Sequence, residues 1–264
     1  MSRMPRFLLV FHWLFAAFML APLVMVVLVS FTAKGYIALP FDGASFRWYR
    51  AILEATDFID AFKRSMGLAA TAATLATAMA VPAGMAIAWH RFKGREALVG
   101  LLLSPLMVPN IVLGIALLRF LTQIGGSSTL WGLTAAHTVI VMPYVLRLVV
   151  AAATGFDRTI AQAAETLGAS GWTVFRRIEL PLILPGVAGG WLIAFINSFD
   201  ELTMSIFVAS ASTETLPVKM YNHIANTIDP LLASVSTVLI LLTVVLMVAL
   251  DRFYGLDRIL SGKT

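Results

Sequence analysis

Thr154 to Pro181 reads TGFDRTIAQAAETLGASGWTVFRRIELP, a 28-residue polar and amphipathic segment set between two apolar runs. Within it Ile160, Ala163, Ala164 and Leu167 recur at helical spacing, and Asp157 is placed to cap the start of that helix. Gly168 ends the helix. Ser170 can cap a second one, on which Trp172, Phe175 and Ile178 repeat every third residue. Two short amphipathic helices joined at a glycine cannot bury their apolar faces alone. They need a partner surface, or they lie along a membrane with Arg176 and Arg177 near the headgroups.

The flanking runs decide the solvent. A spanning helix needs about 20 mostly apolar residues to cross the hydrocarbon of a bilayer, and about Leu130 to Ala153 and Leu182 to about Ala209 satisfy this on either side of the segment. Four more stretches qualify: Phe7 to Phe31, Met66 to Trp89, Ala97 to about Leu121, and Leu231 to Leu250. The whole chain of 264 residues is 59% hydrophobic and 12% charged, with mean hydropathy +0.89. That is too little charge to coat a water-facing domain. The expected fold class is an all-α polytopic membrane protein with six transmembrane helices. Residues 1–264 are expected to form a single transmembrane domain, with no flexible linker, low-complexity tract or internal repeat. The first run, preceded by Arg3 and Arg6, is read as a retained span rather than a cleaved signal peptide, being long for an h-region.

Basic residues sort by side. With the N-terminus inside, the inner loops hold Arg3, Arg6, Arg91, Lys93, Arg95, Arg158, Arg176, Arg177, Arg252, Arg258 and Lys263. The outer loops hold Lys34, Arg47, Arg50, Lys63, Arg64 and Lys219, mixed with Asp42, Glu54, Asp57, Asp60, Glu214 and Asp229. Both termini are therefore expected in the cytoplasm, and with them the Thr154–Pro181 segment. The net charge of +5 and pI of about 9.8 reflect this topology rather than a nucleic-acid partner.

The spacing Ala163-Ala164, Gly168, then Ile178-x-Leu180-Pro181 resembles the EAA loop of bacterial ABC importer permeases. Other stretches look like the same group: SFRWYRAIL at Ser45–Leu53, SPLMVPN around Pro105 and Pro109 with Gly114, MPY at Met142–Tyr144, AFINSFDELTMSIFV, and TLPVKMY at Thr215–Tyr221. The resemblance covers nearly the whole chain and is greatest to the spermidine/putrescine-type permeases, in particular the second of their two permease subunits. Permeases for opines, ferric iron, phosphonates and amino-acid derivatives share the frame. It implies a type I ABC importer permease fold in a bacterial inner membrane, and a loop that docks on a separate ATPase. The residues carrying that coupling would be Gln162, Ala163, Ala164, Gly168, Leu180 and Pro181. The family's leading Glu is Gln162 here, which removes a carboxylate but keeps the helix and the glycine. The implied partners are a second permease, homologous rather than identical, two ATPase copies and a periplasmic binding protein. ATP-driven closure of the ATPases would push the loops together and turn the cavity outward.

Asp200 and Glu201 are adjacent carboxylates inside the fifth run. A charge there costs at least about 2.5–3.5 kcal/mol on insertion scales, so it marks a functional candidate. Asp200 lies 14 residues beyond Gly186, about 21 Å along an ideal helix, which places the pair in the outer half of the span. Asn197 and Ser205 extend the polar stripe. Carboxylates facing a water-filled cavity focus cations and accept hydrogen bonds from ammonium groups. The alternative is internal pairing of Asp200, with Arg119 as the partner. Tyr144, Trp191 and Phe195 are candidates for cation–π contact with an amine, or for ordinary packing. Pro82, Pro105, Pro109, Pro143 and Pro185 are placed to kink or soften spans.

Several chemistries find no support. There is no cysteine, and His12, His90, His137 and His223 fall in different segments without ligand spacing, so neither a metal nor a cofactor is expected. His137 reads as a packing or hydrogen-bonding residue rather than a proton relay. Gly262-Lys263-Thr264 has Asp257 where a phosphate-binding loop needs glycine, so ATP hydrolysis belongs to another chain. The expected function is therefore transport, not catalysis: passage of a small cationic solute of the polyamine class past Asp200 and Glu201, with Asn197, Tyr144 and Trp191 along the path. A proton-coupled secondary transporter using the acidic pair is the remaining alternative.

Overall fold

A computed structural model describes residues 6–41 and 43–254. Arg3, Asp42, Arg258, Lys263 and the Gly262-Lys263-Thr264 end, with Asp257, lie outside the described residues. In chain order the α-helices are α1 (Arg6–Val29), α2 (Arg47–Glu54), α3 (Thr56–Trp89), α4 (Arg95–Leu103), α5 (Asn110–Gln123) and α6 (Leu130–Thr154). They continue with α7 (Thr159–Thr166), α8 (Gly171–Val174), α9 (Leu180–Phe199), α10 (Ser205–Val208), α11 (Leu216–Asn226) and α12 (Leu231–Tyr254). The chain divides into two compact units, one up to Asp60 together with the segment from Met220, the other Ala61–Lys219.

In the first unit α1 and α12 pack together, and α2 packs on α12. Trp48 of α2 is buried and its indole N–H donates to the Lys34 carbonyl at 3.1 Å. Ser30 and Tyr49 share a 2.6 Å hydrogen bond, and the Ser234 hydroxyl donates to the Ser30 carbonyl at 3.2 Å. Phe7–Val29 is apolar on all sides and exposed along its length. A helix of that kind is stable only in contact with lipid or another apolar protein surface.

The second unit is centred on α6, whose Leu133, Val141, Val145 and Val149 are buried. Its main partner is α9, which contributes Ile183 and Ala194 to the packing.

Four helical runs among the described residues are long and apolar enough to cross a membrane: Phe7–Val29, Thr56–Trp89, Leu130–Thr154 and Gly171–Phe199. The third expected span, 97–121, is not one straight helix. Arg95–Leu106 and Asn110–Gln123 meet at a bend of 104°. Pro109 has no N–H to give and pushes Val108 out of the helical region, so the chain turns there before α5 begins. Pro82, Pro143 and Pro185, by contrast, sit inside continuous helices. The fifth expected span, 182–209, also differs at both ends. Its helical run starts at Gly171 and stops at Phe199, leaving Asp200 and Glu201 in a break before α10 rather than inside a helix. The sixth segment folds as α12, with Leu231–Val245 as its apolar described part.

Candidate functional site

The break after α9 separates the two carboxylates. Asp200 occupies the C-cap with φ −90° and ψ 0°, and its amide donates to the Ile196 carbonyl at 3.1 Å. Its side chain is exposed, and no ion pair joins it to Arg119 among the described residues. Glu201 turns inward and is 7% exposed. Its carboxylate accepts the Met204 amide at 3.0 and 3.1 Å, the Ser205 amide at 3.0 Å and the Ser205 hydroxyl at 3.1 Å. The Asn110 carboxamide adds a longer contact of 3.4 Å. Glu201 thus supplies the acceptors that the first N–H groups of α10 lack. Each bond to a charged acceptor is worth about 1.5–3 kcal/mol, enough to end α9 in favour of a turn.

His137 locks this turn from α6. It is fully buried, with Nδ1 2.8 Å from the Ser198 hydroxyl and Nε2 2.9 Å from the Ser205 hydroxyl. A carboxylate only accepts, so the Ser205 proton goes to Glu201 and His137 Nε2–H must donate to the Ser205 oxygen. In a neutral imidazole Nδ1 then accepts from Ser198. The hydrogen-bonding role expected of His137 is the one observed, and His137, Ser198, Ser205 and Glu201 form one chain of bonds.

The two broken helices meet at this point. Gly114 of α5 faces the Met204 turn so closely that a Cβ on it would stand 3.1 Å from Met204 Cα and 3.0 Å from the Phe207 ring. Between the breaks lies a cavity of about 250 Å³, lined by Asn110, Ile140, Tyr144, Ile196, Asn197, Asp200, Glu201, Leu202 and Thr203. Four residues singled out from sequence, Asn197, Asp200, Glu201 and Tyr144, share it. Asn197 uses its side-chain N–H on the Ile193 carbonyl at 2.9 Å, which leaves its carboxamide oxygen free to accept. The cavity therefore offers a carboxylate without a partner among the described residues, a phenol and amide oxygens: a set rich in acceptors and suited to a cation carrying N–H donors.

Trp191 stands elsewhere. Its indole N–H donates to the Thr74 hydroxyl of α3 at 3.0 Å, and its ring stacks on Phe195 at 5.4 Å. Phe195 in turn stacks on Phe199 at 6.3 Å. This i, i+4, i+8 ladder packs α9 against α3 and does not line the cavity. Asn110 and Ser198 are site members not singled out in the sequence, whereas Ser205 stands there only as part of the polar stripe. The signal for Asn110 was its place directly after Pro109, where a helix start exposes a side chain at the bend.

The Thr154–Pro181 segment forms α7 and α8 joined at Gly168, which adopts φ +87°. The amides of Leu167, Gly168 and Ala169 return to the carbonyls of Ala163, Glu165 and Ala164, closing the end of α7. Asp157 accepts the Thr159 amide at 3.0 Å, and this bond holds its carboxyl below the usual carboxylate range. Ser170 accepts the Thr173 amide as the cap of α8. On α7 the buried residue is Ala161, whereas Ile160 and Leu167 are 53% and 89% exposed and Gln162 and Ala163 face outward. Of the expected apolar stripe, Ile160, Ala163 and Leu167 are uncovered and Ala164 is half-buried. After α8 the helix does not stop: residues Phe175–Glu179 form a π-turn that runs straight into α9. Pro181 explains the turn, because it has no N–H for the Arg177 carbonyl and its ring would strike that carbonyl in an α-helix. Leu180 and Pro181 are therefore the first residues of α9.

Comparison with known proteins places this geometry. Residues 80–256 match the family described as binding-protein-dependent transport system inner membrane component. The chain is similar to the spermidine/putrescine transport system permease protein PotC of Haemophilus influenzae, at 34% identity, covering 93% of this chain and 96% of that protein. It is also similar to the putrescine transport system permease protein PotI of Escherichia coli, at 29% identity over 84% of this chain and 82% of that one. In fold it is similar to a chain in the crystal structure of a bacterial ABC transporter involved in import of the acidic polysaccharide alginate. There the TM-score is 0.76 at 14% identity, with 96% of this chain and 99% of that chain covered. The chain belongs to the family of binding-protein-dependent transport system inner membrane components.

Proposed function

We propose that this chain is a permease subunit of an ATP-driven importer for small organic cations of the polyamine class. The observation that carries the substrate reading is the cavity between the two broken helices. It holds an exposed carboxylate, Asp200, with no partner among the described residues, beside the acceptors Asn110, Tyr144 and Asn197. Helices broken at a shared cavity expose polar backbone and side chains where a solute passes, which is the arrangement a translocation pathway requires. The relatives named for spermidine and putrescine support the same class. Asp200 attracts the cation and takes its ammonium groups. Glu201 completes the cavity wall while holding the turn in place. Trp191 acts through packing.

Transport rather than catalysis follows from the family. Energy comes from elsewhere in the complex: two ATPase copies, a second permease homologous to this one, and a binding protein that delivers solute. The 154–181 loop is the ATPase contact. Gln162 and Ala163 are exposed with Leu167 and Ile160, Ala164 beside them is half-buried, Gly168 sets the angle, and Leu180 and Pro181 join the loop to α9. The whole chain acts as one permease domain with both termini in the cytoplasm, following its distribution of Lys and Arg.

The test is ATP-dependent uptake of radiolabelled putrescine and spermidine by the complex in proteoliposomes. Asp200→Asn should cut uptake at least about ten-fold, as loss of a partly desolvated charge pair commonly does. Unchanged uptake, or a preference for a phosphonate or ferric iron, would overturn the polyamine reading and leave the importer reading intact.

A further inference from the structure

The segment that links the loop to the spans carries a cluster that the pathway does not use. Arg158 stands at the start of α7. Its guanidinium carbon lies 4.8 Å from the centroid of the Trp89 ring, the last residue of α3. Its Nη2 lies 3.7 Å from Oε1 of Glu179, the last residue of the π-turn. The Trp89 indole N–H donates to the Ala153 carbonyl near the end of α6 at 2.8 Å, and its ring packs on Phe156 at 5.9 Å. Four parts of the unit, the ends of α3 and α6, the start of α7 and the base of α9, thus converge on one guanidinium.

This contact is not saturated. The Glu179 side chain is 9% exposed, whereas the Nε of Arg158 is buried without a hydrogen-bond partner among the described residues. At 3.7 Å the pair touches at a single point. A shift of about 1 Å would bring it to the length of a two-point guanidinium–carboxylate fork and could satisfy Nε. Beneath it lies a cavity of about 730 Å³ between α3, the loop and α9, lined by Val81, Met85, Val174, Phe175 and Val187 among others, with His90 and Glu165 also facing it. Packed interfaces switch between discrete arrangements rather than stretching. An under-coordinated ion pair above open space, at a π-turn, is where such a switch meets least resistance.

We propose that Arg158 is the joint through which displacement of the α7–α8 loop reaches α3 and α9. It is a positioning residue for coupling that touches neither ATP nor solute. Trp89 gives the guanidinium a fixed face to turn on, and Glu179 takes it up as the loop moves, so the base of α9 follows the loop. This rests on the reading that the loop docks on the ATPase.

The experiment measures ATP hydrolysis and putrescine uptake together in the reconstituted complex. Arg158→Ala should leave assembly and basal hydrolysis within about two-fold, while ATP consumed per putrescine rises about 2- to 30-fold, the range by which residues outside both sites alter coupling. Arg158→Lys should fall between. The exchange Arg158→Glu with Glu179→Arg should recover uptake relative to Arg158→Glu alone. A merely structural Arg158 would lower hydrolysis and uptake in parallel, and an unchanged ratio in Arg158→Ala and Arg158→Lys overturns the proposal. Leu167→Glu, on the exposed face of the loop, reports the docking reading separately. It should release the ATPase on co-purification, and retention would refute docking rather than the joint.

Discussion

Replacing Glu201 by leucine separates the roles of the two carboxylates. The amides of Met204 and Ser205 both end on the Glu201 carboxylate, at 3.0–3.1 Å, and both residues are fully buried. Leucine fills much of the same space and offers no acceptor. Each buried N–H left without a partner costs about 1–3 kcal/mol, so the turn loses about 2–6 kcal/mol of local stability. At about 1.4 kcal/mol per decade, the lower bound alone corresponds to roughly 30-fold faster opening. Hydrogen–deuterium exchange of the purified complex, read on peptides covering residues 200–208, measures this directly. Glu201→Leu should lose protection there by roughly 30-fold or more, and Glu201→Gln by less, since its carbonyl retains one acceptor. Asp200→Asn should leave the same amides unchanged, because the Asp200 side chain caps nothing. Full protection in Glu201→Leu, or equal loosening in Asp200→Asn, would refute the division between a carboxylate that builds the site and one that serves it.

Other substitutions test the remaining geometry. Gly114→Ala places a methyl 3.1 Å from Met204 Cα, so α5 must back away from α10; overpacking of about 1–3 kcal/mol should show as a lower melting temperature and reduced uptake. Gly168→Ala forces an L side chain to φ +87°, at roughly 1–2 kcal/mol, and should weaken co-purification of the ATPase without changing putrescine recognition. Trp191→Phe removes one hydrogen bond to Thr74, about 1 kcal/mol, and should lower thermal stability slightly while leaving the apparent affinity for putrescine within about two-fold.

The lipid-facing architecture was legible because apolar runs of spanning length carry their meaning locally. The loop was legible for a related reason: Gly168 and Ser170 act on neighbours within a few residues at their expected positions, while Asp157 binds the Thr159 amide from one residue before the N-cap, Arg158. The breaks were harder. Prolines alone do not announce them, since Pro82, Pro143 and Pro185 lie within unbroken helices while Pro109 stands in a break, as the N-cap of α5. What differs at Pro109 is the company of Pro105 and an adjoining contact with the Met204 turn, about a hundred residues away. The acidic pair was visible as charge in an apolar run. Its partition into an exposed Asp200 and a buried Glu201 depends on His137 and Asn110, which approach only through the packing of α6 and α5. Trp191 looked like a pathway aromatic because cation–π partners and packing residues share the same side chains. Only the position of Thr74 decides between them. The apolar stripe of α7 is periodic as expected, yet the buried residue is Ala161, which lies off that stripe.

An organic cation that passes through the cavity between the two broken helices, held there by Asp200, must lie within reach of the residues that line it. Photolabelling of the assembled, ATP-energised complex with a diamine bearing a photoreactive diazirine, followed by peptide mapping, tests this most directly. Adducts should fall on Asn110, Tyr144, Asn197 or residues 200–203, be chased by excess putrescine and be lost in Asp200→Asn. Adducts elsewhere in the chain, or cavity adducts indifferent to both putrescine and Asp200→Asn, would contradict it.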